Sequence, residues 1–108
     1  MDNAYAVVAP TRAEVQAMAG ATLLEFGTAW CGWCRGAQPL IAQALQGHPQ
    51  VRHLKVEDGS GRPLGRAFGV KLWPTLVFLL DGNERTRLVR PASVQAIAGA
   101  LHEIAPGG

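Results

Sequence analysis

The chain reads as short blocks of apolar and polar positions, each the size of one secondary-structure element. Thr11-Arg12-Ala13-Glu14 has the form of a capping box, a hydroxyl at the N-cap and a carboxylate three residues on. The helix it opens is expected to run to about Ala19 and to stop at Gly20. An apolar run from Ala21 to Phe26, carrying Leu23, Leu24 and Phe26, predicts a buried strand over about Thr22 to Gly27. A helix is expected from about Cys34 to Gln46, with Pro39 inside it removing one backbone donor and kinking it. Gly47-His48-Pro49 ends that helix. Val51 to Glu57 reads as a strand, Asp58 to Gly61 as a loop, and Pro63 to Phe68 as a short helix ended by Gly69. Thr75 to Leu80 is strongly apolar and predicts a central strand. Asp81-Gly82 is a hairpin signal, so Glu84 to Val89 should return antiparallel. Pro91 is expected to open a last helix reaching about Ile104, weakened at Gly99 by ~1 kcal/mol relative to alanine.

This order of elements defines an α/β protein. Strands separated by helices argue for parallel pairing, and the final hairpin adds an antiparallel edge. The expected architecture is a mixed sheet of about four strands with helices on both faces. At 108 residues, with no repeat, linker or low-complexity tract, residues 1–108 read as a single domain.

Composition narrows the function. A 48% hydrophobic content can supply a core without disulfides, and two cysteines are too few for a secreted disulfide framework. Ten basic against eight acidic residues, with Arg62, Arg66, Lys71, Arg85, Arg87 and Arg90 scattered, argue against a nucleic-acid partner. No apolar run approaches the ~18 residues of a membrane helix. Met1-Asp2-Asn3-Ala4 lacks the basic and apolar regions of a signal peptide, so the expected location is cytoplasmic. A chain trimmed of its export segment would read identically, which keeps a periplasmic or exported protein in view. Without a heptad pattern or an interface stripe, the chain is expected to be a monomer.

The chemistry concentrates in Trp30-Cys31-Gly32-Trp33-Cys34, which holds both cysteines of the chain where a strand feeds a helix. Free amides and the helix dipole at such a place favour an anion, and so the thiolate form that attacks disulfides. Two cysteines at this spacing make a redox couple. Cys31, at the helix start, is the expected nucleophile. Cys34, one turn inward and shielded, is the expected resolving thiol. Gly32 would allow a tight turn between them, or simply start the helix. Glu25 interrupts an apolar strand six residues before Cys31. Burial there should raise its pKa and let it take the Cys34 proton, whereas an edge-facing glutamate would merely be solvated. Cys31-x2-Cys34 with His48-x4-His53 also fits a Cys2His2 zinc spacing formally. Context argues against it: Pro49 follows His48 at once, His53 falls in an expected strand, and the cysteines start a helix rather than a hairpin. His102 reads as a surface residue.

Over nearly all its length the chain resembles the thioredoxin family. The resemblance rests on Leu24-Glu25-Phe26 leading into Ala29-Trp30-Cys31-Gly32-Trp33-Cys34, on Pro39 eight residues after Cys31, on Phe68-Gly69-Val70 before Trp73-Pro74-Thr75, and on Gly82 in the last hairpin. It implies the thioredoxin fold and a cis bond at Pro74 that keeps the loop backbone beside Cys31. The carbonyl and amide of Trp73 would then pair with an extended substrate. Thr75 would start the strand. The sequence departs from the family pattern at four places. Trp33 stands where proline is usual, Glu25 where aspartate is usual, Trp73 where a smaller residue is common, and Arg90-Pro91 where a small, often glycine-containing segment is common.

The resemblance implies a protein disulfide oxidoreductase. Cys31 would attack a substrate disulfide, Cys34 would resolve the mixed disulfide, and a reductase would recycle the pair. No cofactor beyond the Cys31–Cys34 disulfide is implied. A flavin-dependent reductase is the expected electron donor in the cytosol. Run in reverse in an exported setting, the same couple would oxidise or isomerise disulfides. A protein-binding module with incidental cysteines is the remaining alternative, and Cys31, Cys34, Glu25 and Pro74 together argue against it. Trp33 returns an amide near the Cys31 sulfur, so the potential is expected to be less reducing than ~−270 mV. Trp33 reads either as substrate-contact surface or as a surface aromatic without a partner. Trp30 reads as a shield for Cys31 or as core filling, and Trp73 as apolar contact surface or as a cap on the core. Lys55 and His53 are candidates to reach Glu25 from the next strand, although the weightier reading leaves both in solvent.

Overall fold

The computed structural model describes residues 4–106. The elements in chain order are α1 (Arg12–Gln16), β1 (Ala21–Gly27), α2 (Gly32–Gln46), β2 (Arg52–Glu57), α3 (Pro63–Ala67), β3 (Thr75–Leu80), β4 (Asn83–Val89) and α4 (Val94–Ile104). The sheet order is β2-β1-β3-β4. β1 pairs parallel with β2 and antiparallel with β3, and β3 pairs antiparallel with β4.

The antiparallel β1–β3 pair corrects the expectation of parallel pairing wherever a helix intervenes. A return crossover must span the sheet. Five residues of α3 reach only about 7.5 Å, against roughly 20 Å for a six-residue strand. The seventeen residues between β2 and β3 could span that distance if extended, but with α3 coiled among them the chain enters β3 at the end where it left β2, and β3 runs the other way.

Alternation along the strands makes two cores. Leu23, Leu76 and Phe78 face Ile41 of α2 and Ile97 and Leu101 of α4. Leu24, Phe26, Val77 and Leu79 face Val15 of α1 and Leu64 and Phe68 of the α3 side. Burying each such side chain stabilises the fold by about 1.5–3 kcal/mol relative to leaving it in water. Glu25 falls on the Leu23 face by the two-residue period of a strand, and so lies under α2.

Local chemistry sets the ends. Both bonds of the Thr11–Glu14 capping box form, but α1 stops at Gln16, short of Ala19, and Gly20 turns the chain at φ 80°. α2 begins at Gly32 rather than Cys34, because the Cys31 side chain itself caps the helix. Pro39 lies inside α2 as expected. α4 begins at Val94 rather than at Pro91, because the Ser93 hydroxyl accepts from the Ala96 amide at 3.1 Å and supplies the cap. Asp81 and Gly82 both have positive φ, 51° and 80°, the primed turn that joins β3 to β4. Gly82 is required a second time there, since a Cβ would fall 2.1 Å from the Gln16 carbonyl oxygen. Ahead of α1, Ala6 bridges to Val56 at the outer edge of β2, through Ala6 N–H to Lys55 O at 2.8 Å and Glu57 N–H to Ala6 O at 3.0 Å. That edge contact fixes Tyr5.

Candidate active site

Cys31 stands at the α2 N-cap, where the Cys34 amide donates to its Sγ at 3.2 Å. It is half-buried, and Cys34 one turn behind it is fully buried; both are free thiols. The amide that reaches the Cys31 sulfur thus belongs to Cys34, although the sequence pointed to Trp33. Burial pushes the Cys34 thiol up to about 11. The Cys31 side chain adds to this, while the Thr28 amide and the Tyr5 hydroxyl oppose it. Cys34 therefore holds its proton at neutral pH and must give it up before it can attack.

Gly27 makes room for this pair. A methyl on it would lie 2.6 Å from Cys34 Sγ and 3.0 Å from Tyr5 Oη. Gly32, by contrast, has no neighbour within 4 Å of a Cβ position and no positive φ. It is an ordinary helix-start residue, and the tight-turn expectation is corrected.

Glu25 is fully buried and paired in register with Lys55 on β2 and Leu76 on β3. Its carboxylate accepts from Tyr5 Oη at 2.6 Å and Gln38 Nε2 at 2.8 Å on Oε2, and lies 2.8 Å from His53 Nε2 on Oε1. Burial alone would raise its pKa, as expected from the sequence. The contacts from His53, Tyr5 and Gln38, with the His53 charge, outweigh burial and hold it below the ordinary carboxylate value. The expected direction is therefore reversed.

His53 and Lys55 are not left in solvent, because the parallel register puts both on the Glu25 face. His53 meets Glu25, and buried Lys55 donates to Gln38 Oε1 at 2.9 Å while its Nζ lies 4.3 Å from the Tyr5 ring centre. Sequence reading missed Tyr5, Gln38 and Gly27. Gln38 stands four residues after Cys34, on the same helix face, and that spacing could have found it. Tyr5 lies in a stretch without periodicity and gave no signal.

The three tryptophans behave differently from one another. Trp30 is 69% exposed in the turn after β1, so the core-filling reading is corrected. Trp33 is 61% exposed but not without a partner: the Arg90 guanidinium lies 4.7 Å from its ring centre. Trp73 is half-buried and turned onto the loop after β2, its Nε1 donating to Asp58 Oδ2 at 2.9 Å. The Trp73–Pro74 bond is cis. Arg90 donates through Nε to the Trp73 carbonyl at 2.7 Å and through its amide to Pro74 O at 2.9 Å. The carbonyl expected to pair with a substrate already has a partner. Arg90 holds φ at 52°, a left-handed conformation that favours glycine. A shallow groove beside it is lined by Gly32, Trp33, Gly36, Ala37 and Pro91.

The four residues of the formal zinc spacing do not converge. His53 is engaged by Glu25, and His48 Nδ1 contacts Ala44 O at 3.3 Å near the far end of α2. Among the described residues, no group of three or more His, Cys, Asp or Glu could hold a metal, and no helix is long and apolar enough to cross a membrane.

A CxxC dithiol capping a helix, set on this sheet beside a cis-proline loop, is the site of a thioredoxin-fold dithiol protein. The chain belongs to the thioredoxin family, whose model, described as Thioredoxin, matches residues 6–103. It is similar to the solved structure of thioredoxin 2 from Pseudomonas aeruginosa PAO1 in its reduced form. That structure shares 53% identity and a TM-score of 0.90, with 100% of both chains covered. A thioredoxin from Chlamydia muridarum is 38% identical over 65% of this chain and 69% of its own length. Thioredoxin H-type 1 from Nicotiana tabacum is 34% identical over 62% of this chain and 53% of its own. The chain spans about half the length of several curated relatives it matches, 48% of Thioredoxin-2 from Pyricularia oryzae among them.

Proposed function

We propose that this protein is a thiol–disulfide oxidoreductase that works as a disulfide reductase. The observation that carries the reading is the asymmetry of the two thiols. Cys31 is half-buried with an amide at its sulfur, while Cys34 is buried, protonated and one helical turn behind. A thiol that a substrate can approach attacks first, and one that it cannot approach is kept to resolve.

In the first step Cys31 thiolate attacks one sulfur of a protein disulfide. A Cys31–substrate bond forms, and the other substrate sulfur leaves as thiolate. In the second, Cys34 gives up its proton and attacks Cys31 Sγ. The Cys31–Cys34 bond forms and the second substrate sulfur leaves. The substrate gains two electrons and the protein ends oxidised, so a dithiol donor or reductase must restore it. Its electrons reside in the Cys31–Cys34 pair, and no separate cofactor takes part. Trp33, Trp30 and the groove beside Pro91 supply the exposed surface on which a substrate chain would lie, with Trp73, Pro74 and Gly32 lending backbone around it. The protein acts as one domain and as a monomer, in a reducing compartment such as the cytoplasm.

The test is reduction of insulin with dithiothreitol as donor. The protein should accelerate it, Cys31→Ser should abolish the acceleration, and Cys34→Ser should accumulate a covalent Cys31–insulin adduct. Acceleration by Cys31→Ser equal to the parent would overturn the reading.

A further inference from the structure

Cys34 is fully buried, so bulk water does not directly receive the proton it must lose. The group that faces both this thiol and the Glu25 carboxylate is Tyr5. Its Oη donates to Glu25 Oε2 at 2.6 Å, and it lies beside the Cys34 thiol. Both Oη and Cys34 Sγ crowd the space that a Gly27 side chain would occupy. Gln38 Nε2 donates to Tyr5 Oη at 3.3 Å and to Glu25 Oε2 at 2.8 Å, which fixes the two oxygens relative to each other. On the far side, Glu25 Oε1 lies 2.8 Å from His53 Nε2, and the His53 side chain is 15% exposed. Tyr5 Oη, Glu25 and His53 thus lie in succession from beside the buried thiol toward the surface.

We propose that Tyr5 is a catalytic proton relay in the resolving step, passing the Cys34 proton to the Glu25 carboxylate. The inference rests on the dithiol exchange proposed above. As Cys34 attacks Cys31 Sγ, its proton moves to Tyr5 Oη while the Tyr5 proton moves to Glu25 Oε2. The Cys31–Cys34 bond forms, the Cys31–substrate bond breaks, and the electron pair leaves on the substrate sulfur. Glu25 holds the proton at the end of the step, so the proton lost by Cys34 is accounted for within the site. The two transfers at Tyr5 are concerted. Burial, followed by the Glu25 hydrogen bond and charge, holds the phenol well above its usual range, so tyrosinate does not accumulate. Charged and titratable groups facing this path are Cys34 and Arg35 from α2, Cys31 at its N-cap, Glu25 from β1, and His53 and Lys55 from β2.

The test uses dithiobis-nitrobenzoate, whose coloured thiolate is released once when Cys31 attacks and again when Cys34 resolves. Tyr5→Phe keeps the ring under Lys55 and removes only the hydroxyl. It should leave the first phase unchanged and slow the second by about tenfold or more. The second phase should then climb with pH toward the Cys34 titration instead of levelling off. Tyr5 is the single tyrosine of the chain, so growth on 3-fluorotyrosine replaces it alone and makes the phenol more acidic without changing its shape. A shifted second-phase rate is expected. Two results overturn the relay: a Tyr5→Phe second phase within twofold of the parent, or a slowed Tyr5→Phe phase with a fluorotyrosine rate and pH profile identical to the parent. Absence of the first phase in the parent protein would instead overturn the oxidoreductase reading itself.

Discussion

Glu25 shows how three donors reverse what burial alone would do. A fully buried carboxylate is expected to hold its proton, yet His53, Tyr5 and Gln38 keep this one ionised. Its pKa is lower folded than unfolded. The stability this confers is therefore fully present above the unfolded carboxylate value of ~4.3 and is lost as pH falls through the folded value. Glu25→Gln should accordingly be less stable than the parent at neutral pH by about 3 kcal/mol, the scale of a broken buried pair. The gap should close in acid. Denaturant titrations of both proteins at neutral and acid pH check this, and a gap independent of pH would remove the ionised carboxylate from the account. Cys34 carries the opposite shift, from burial. Alkylation of the reduced protein should label Cys31 alone near neutrality and reach Cys34 only as pH approaches about 11, read by mass spectrometry. Gly27→Ala should destabilise the protein by about 1–3 kcal/mol, since its methyl would overlap the Cys34 sulfur. The cysteines and Glu25 were legible because residue type and spacing alone single them out. The environment of Glu25 was not, because its three donors come from parts of the chain that only the fold assembles.

Among the elements, those governed by local rules are where the sequence placed them. β3 needs only its apolar run, the Asp81-Gly82 turn only its two positive φ angles, and the α1 cap only Thr11 and Glu14. Two helix starts shifted because the capping side chain was not the residue the pattern singled out. The Cys31 sulfur started α2 early, and Ser93 rather than Pro91 started α4. The register of β2 against β1 decided that His53 and Lys55 meet the site, and no local pattern specifies a register across a fifteen-residue helix. Arg90, directly after β4, is an element-end residue set against the loop proposed to meet substrate. It covers the Trp73 carbonyl and holds a conformation suited to glycine. Arg90→Gly should free that carbonyl for a backbone hydrogen bond worth about 1 kcal/mol, lowering KM for insulin about fivefold with kcat little changed. Steady-state kinetics read the split, and a raised KM would mean that Arg90 itself binds the substrate.

At the scale of the molecule, the mixed sheet joins two apolar cores and delivers the N-terminal edge, β1, β2 and α2 to one buried polar cluster behind two thiols. The fold class and the dithiol were readable because the family's motifs span the chain. The N-terminal contribution was not, since Tyr5 reaches the site only through the Ala6–Val56 bridge at the sheet edge. The central claim is that Cys31 and Cys34 form a reversible couple poised to reduce protein disulfides. Its most direct test is the equilibrium reduction potential of the pair against glutathione, with Cys34→Ser as the control that cannot cycle. The account predicts a value near or below ~−250 mV, that of a reductase. A value at or above ~−180 mV, or no reversible couple at all, would contradict it.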